Sequence, residues 1–170
     1  MKVSGWHGGP KRITGPFRPS ASSEGYGVYI SENRELAEFF GHPHRVEAIV
    51  HHPLIVDHED LPALEGHLMR GWFEYMRPSV WINANYEASK HCDMLDLDQF
   101  VDPEGYYEVL KNCFSEALTG ILRASGYDSV KISMYGGRIP DSVKVSDILR
   151  KIDLTWWVIF DPRKIKFSRR

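Results

Sequence analysis

A histidine followed by two glycines, as in Gly5-Trp6-His7-Gly8-Gly9, is a place where a ligand can come close to backbone. Glycine removes the side chain that would stand in the way, and an imidazole can donate, accept or move a proton near neutral pH. The same pattern also suits a purely structural histidine. A second pattern, Gly25-Tyr26-Gly27-Val28-Tyr29-Ile30-Ser31, sets aromatic rings on a strand entered through glycines, and Phe40 follows on the next segment, directed to the same side. Such rings stack on flat ligands or fill a core.

Other chemistry-bearing residues point less clearly. His42, His44, His51, His52, His58 and His67 are dense but lack the His-Glu-x-x-His or Cys-x-x-Cys spacing of zinc sites, so they read as surface and loop histidines. Asp93-Met94-Leu95-Asp96-Leu97-Asp98 lacks the central glycine and closing glutamate of a calcium loop and reads as a solvated turn or short strand. Cys92 and Cys113 have neither metal-ligand nor disulfide-framework spacing and read as ordinary reduced thiols.

The elements that must position these residues alternate between strand and helix. Val3 to His7 reads as a buried strand ending at Gly8-Gly9-Pro10, followed by a Pro-, Gly- and Ser-rich loop to Gly25. Tyr26 to Ser31 has strand character, and Ser31 is a candidate cap for a helix running through Phe40, with Gly41 as its stop. Val46 to Val56 reads as strand broken or bulged at His51-His52-Pro53. From about Leu61 to Phe100, Leu64, Leu68, Trp72, Phe73 and Met76 recur at helical spacing, and Trp72, Phe73, Tyr75 and Trp81 read as the core of a helical insert. A long helix is expected from about Glu104 to Ala124, with an apolar face including Phe114, Leu118 and Leu122, and Gly126 as its stop. Strands are then expected at Tyr127 to Met134, Leu154 to Phe160 and Lys164 to Phe167, with a loop from Gly136 to Ser146.

A chain of 170 residues suits one domain, residues 1–170. Its 21 basic and 23 acidic residues leave a formal charge of −2, with no basic run to hold a polyanion, so charge does not point to nucleic acid although it leaves it open. No stretch approaches the apolar length of a membrane span, and the first residues lack the apolar core of a signal peptide. A soluble, cytoplasmic protein with no membrane association is the expectation.

The order of these pieces resembles the ADP-ribosyltransferase superfamily, in its diphtheria-toxin and poly(ADP-ribose) polymerase branch with a His-Tyr-Glu signature. Trp6-His7-Gly8 is similar to the first element of that signature and Gly25-Tyr26-Gly27-Val28-Tyr29-Ile30 to the second. Trp156-Trp157-Val158-Ile159-Phe160-Asp161 is similar to the third, and Ser125-Gly126-Tyr127-Asp128-Ser129-Val130 resembles a segment of phage and bacterial members. The resemblance implies an α+β fold, a split antiparallel β-sheet core with a helical insertion at about residues 60–125. It implies NAD as substrate, with His7 on a ribose hydroxyl, the backbone of Gly8, beside Gly9, on the nicotinamide carboxamide, and Tyr29 and Phe40 on the two ring faces; Arg18, in the loop after the first strand, is a pyrophosphate candidate by its charge. It further implies mono-ADP-ribosylation of a macromolecular, foremost protein, target by a toxin, effector or anti-defence protein.

Two positions depart from the pattern. The signature glutamate falls on Trp156, which offers neither negative charge nor a hydrogen-bond acceptor, and Ala37 stands where polymerases carry a serine. Three readings follow: the acceptor's own carboxylate substitutes, another acid does so with Asp153, Asp147 and Asp128 as candidates, or the fold serves as a non-catalytic binding or inhibitor module. Asp153 is the acid taken as catalytic beside His7 and Tyr29. The loop Tyr135 to Asp141 falls where the family recognises targets, and Arg138, Lys144, Arg150 and Lys151 are candidates to meet an acidic partner or the pyrophosphate.

Overall fold

A computed structural model describes residues 1–22, 25–57, 77–93, 103–134 and 153–168. Among these residues the protein is a mixed α+β structure with an open, mostly antiparallel sheet and three helices. The strands are β1 (Lys2–Gly9), β2 (Ser20–Ser22), β3 (Gly25–Ser31), β4 (His42–Ile49), β5 (Pro53–Asp57), β6 (Ser129–Met134), β7 (Leu154–Ile159) and β8 (Ile165–Phe167). The helices are α1 (Arg34–Phe39), α2 (Pro78–Asp93) and α3 (Pro103–Ala124).

Seven strands run in the order β5-β6-β7-β3-β1-β4-β8, with β2 paired to β3. Only the β5–β6 contact is parallel. β1 is paired along its whole length with β4, from Lys2↔Ile49 to Gly9↔His42, but meets β3 at one register position, Trp6↔Ser31. The sheet therefore parts between β1 and β3 into two portions.

Side-chain alternation along each strand explains how the portions pack. On β7, Trp157 and Ile159 join Val28 and Ile30 of β3 in one cluster with Val3, Val46, Ala48 and Ile165 of the other portion. Trp156 and Val158 face the opposite way, into a second cluster with Leu54, Val130 and Ile132 of the sheet and Ala84, Leu118 and Leu122 of the helices. Thus α2 and α3, packed on each other, cover one face of β5-β6-β7, while β1-β4-β8 covers the other face beside β3 and β7.

The long helix runs Pro103–Ala124, within one residue of its expected start, and Gly41 and Gly126 follow α1 and α3 with φ of 141° and 90°, the left-handed conformation that ends helices. The start of α1 differs from the Ser31 expectation. The Ser31 hydroxyl accepts from the Asn33 amide at 2.9 Å and donates to the Thr155 oxygen at 3.4 Å, and the Asn33 side chain accepts from the Thr155 amide at 3.2 Å, so both polar groups serve the β3–β7 junction and the helix begins at Arg34. The anticipated interruption at His51-His52 separates two strands that are not neighbours: β4 lies in one portion of the sheet and β5 in the other. Residues 58–76, which carry the first part of the expected insert with Trp72, Phe73 and Tyr75, and residues 135–152, which carry the loop expected to meet a target and Asp147, lie outside the described residues, as does the acidic run after Asp93.

Candidate functional site

The parting between β1 and β3 is where His7 and Tyr29 meet. The His7 Nδ1 lies 2.9 Å from the backbone oxygen of Tyr29. A carbonyl oxygen only accepts, so Nδ1 carries the proton and, in the neutral ring, Nε2 presents its lone pair. Burial lowers the His7 pKa below its ordinary value; the bond to Tyr29 opposes that shift and the charge of His44 adds to it. The neutral form is thus the one the fold favours. The edge of the ring packs on buried Phe17, centroids 5.3 Å apart at 88°.

Three glycines shape the backbone that follows His7 and its packing against α1. A Cβ on Gly9 would stand 3.4 Å from His7 Nε2, so the bare backbone leaves the lone pair approachable. A Cβ on Gly8 would stand 2.1 Å from the Ala37 oxygen, so glycine is what lets α1 lie against β1. Gly41 follows α1, where a Cβ would stand 2.6 Å from the Gly9 oxygen. Phe40 stands just across from Gly8, with its own Cβ 3.0 Å from where a Gly8 Cβ would be. The Phe40 ring is 68 % exposed and edge-on to Phe39 at 5.3 Å.

Tyr29 is half-buried against the cluster that holds Trp156 and Val158. Its hydroxyl hydrogen-bonds the Ser22 hydroxyl and also donates to the Gly25 oxygen at 3.3 Å, so the phenol is engaged by its own hairpin. Arg18 is exposed and follows Phe17, so the loop that carries it passes over His7.

The acids fall elsewhere. Trp156, on which the resemblance places a glutamate, is 7 % exposed and belongs to the core. Asp153 is exposed and lies five residues before Val158, the register partner of Tyr29; at about 3.3 Å per residue that is roughly 16 Å along β7. The structure does not bring Asp153 together with His7 and Tyr29. Asp128 has a structural role: it accepts from the His51 and His52 amides at 2.8 and 3.1 Å and from Lys164 at 2.9 Å. Desolvation pushes its pKa up, but the hydrogen bonds to His51, Lys164, His52 and Ser129 outweigh it and bring it down to about 2.

Sequence reasoning missed the support of this site. Ser115 and Thr119 of α3 are 0 % and 5 % exposed, and both bond to the β2–β3 hairpin. Their signal was present as two polar residues four apart on an otherwise apolar helical face. Among the described residues no group of three or more metal-ligating side chains forms, and no helix is long and apolar enough to cross a membrane. No protein-family model, curated protein or solved structure matches the chain.

Proposed function

We propose that the chain binds NAD at the parting of β1 and β3 and transfers its ADP-ribose to a macromolecular target, foremost a protein, inside the cell. The observation that carries this reading is the neutral imidazole of His7: with Nδ1 bound to Tyr29, Nε2 is an acceptor for a ribose hydroxyl, and Gly9 sets no side chain against it. The remaining groups suit the same ligand. The Tyr29 and exposed Phe40 rings offer flat apolar surface for nicotinamide, the strand edge at Gly8 offers backbone for its carboxamide, and Arg18 offers charge for the pyrophosphate.

In the transfer, the bond between the ribose C1 and the nicotinamide nitrogen breaks and nicotinamide leaves with the electron pair. The acceptor nucleophile bonds to C1; an ionised carboxylate does so without losing a proton, and a hydroxyl or amine releases its proton to solvent. Holding the ribose and ring in fixed relation favours that cleavage by positioning. With tryptophan in place of the signature glutamate, the charge that steadies the cation comes from the acceptor's own carboxylate, and polymer synthesis is not expected.

Buried Trp156 also favours a second reading, a non-catalytic module that keeps the pocket for binding. Incubation with labelled NAD and a cell lysate separates the two. Label on a discrete macromolecule, lost in His7→Ala and Tyr29→Ala, supports transfer; an NAD-induced rise in melting temperature without label supports binding alone. Neither label nor thermal shift overturns both.

A further inference from the structure

The β2–β3 hairpin lies flush on α3 through a polar seam inside an otherwise apolar interface. The Ser115 hydroxyl, fully buried, lies 2.6 Å from the Ser22 backbone oxygen and 2.7 Å from the Lys111 oxygen of its own helix. One turn later, Thr119 Oγ1 accepts from the Tyr26 amide at 2.7 Å. Gly25 lies between these contacts, and a Cβ there would stand 2.7 Å from Thr119 Oγ1, so the backbone approaches the helix as closely as it can. Ser22, held by its oxygen, turns its hydroxyl to Tyr29. A continuous path thus runs from the buried face of α3 through Ser22 to the phenol of Tyr29.

We propose that Ser115 and Thr119 are positioning residues that latch the β2–β3 hairpin to α3 and so fix the Tyr29 ring at the mouth of the site. Hydrophobic packing alone would hold the hairpin on the helix but would let it slide; directed hydrogen bonds in a low-dielectric interface set its position along the helix axis. Burying two hydroxyls carries a desolvation cost unless both are bonded, so their placement ties the helix to this one arrangement of the hairpin. The consequence for Tyr29 is a half-buried ring whose far end is anchored, so that its position in the site is set by the hairpin. That consequence rests on the NAD reading, whereas the latch itself does not.

The test uses the full chain labelled with 3-fluorotyrosine, the Tyr29 fluorine resonance among the eight tyrosines being identified by its loss in Tyr29→Phe. Ser115→Ala and Thr119→Val are expected to shift or broaden that resonance without NAD present, and Ser115→Thr to restore it. With NAD titrated in, the same two variants should bind roughly fivefold more weakly, the change expected from losing one typical hydrogen bond. Should Ser115→Ala fail to fold, Ser22→Ala reads the same resonance by cutting the last link. An unchanged Tyr29 resonance in Thr119→Val overturns the latch, whatever Ser22→Ala shows. A resonance that moves as expected in a protein that binds no NAD keeps the latch and overturns the functional reading instead.

Discussion

His7 Nδ1 and the Tyr29 carbonyl oxygen stand 2.9 Å apart where β1 and β3 part, so a side chain takes the backbone acceptor on this side of the opening. That contact fixes the tautomer of His7, ties the two portions of the sheet together and turns Nε2 toward Gly9.

The fixed tautomer carries a pH dependence. Because the folded protein lowers the His7 pKa, the neutral ring contributes stability above the unfolded value near 6.5, and that contribution is lost as pH falls through the lower folded value. NAD affinity should fall over the same range, because the protonated ring has no lone pair at Nε2. Melting curves and NAD titrations from pH 8 to pH 5 check this: wild type should lose both on acidification, and His7→Gln should show a flatter profile.

Neighbouring glycines should respond differently to the same substitution. Gly8→Ala forces a Cβ to within 2.1 Å of the Ala37 oxygen and should destabilise the fold by about 2–3 kcal/mol as α1 is pushed away. Gly9→Ala places its methyl at contact distance from His7 Nε2; the melting temperature should change little while NAD affinity drops at least about tenfold. Thermal denaturation and calorimetric titration of the two variants read the contrast.

Much of this arrangement is legible in the sequence, for identifiable reasons. The period of Phe114, Leu118 and Leu122 and the glycine at 126 set α3 almost to the residue, because periodicity and a C-terminal glycine act locally. The apolar run Leu154 to Phe160 likewise sets the span of β7, but not that Trp156 and Trp157 serve opposite clusters. The separation of β4 from β5 is not legible, since strand character says nothing about which neighbour a strand pairs with. Asp153 is a candidate by closeness in sequence, and the register of β7 shows that such closeness along a strand can mean a large distance. Ser115, Thr119 and Ser22 escape notice because their partners are distant in the chain.

An acid at position 156 should not be tolerated. Trp156→Glu puts a carboxylate at a position only 7 % exposed, lined by Val158, Leu154 and the α3 face, and should cost about 3–5 kcal/mol. A fall in melting temperature of roughly 10 °C follows for a chain of this size. Trp156→Phe, which keeps an apolar ring, should lose far less. A Trp156→Glu protein as stable as wild type would contradict the assignment of this position to the core.

Asp128 accounts for part of the acid sensitivity of the fold. Its folded pKa of about 2 lies below the ordinary 3.8, so it stabilises the native state above pH 4, and that contribution, about 2 kcal/mol at most, disappears between about pH 4 and pH 2. Asp128→Asn should therefore lower the melting temperature at pH 7 and narrow the gap to wild type near pH 2. Labelled NAD transfer at neutral pH should persist in this variant, since its contacts hold the His51-His52 turn and Lys164, away from His7.

The central claim, that NAD is held at the parting of β1 and β3 through the unprotonated Nε2 of His7, is tested most directly by calorimetric titration of NAD into wild type, His7→Ala and Gly9→Ala at pH 7.5. Saturable one-site binding to wild type and at least about tenfold weaker binding to both variants is the expected result. Equal affinity in all three proteins, or no binding to wild type, would contradict it.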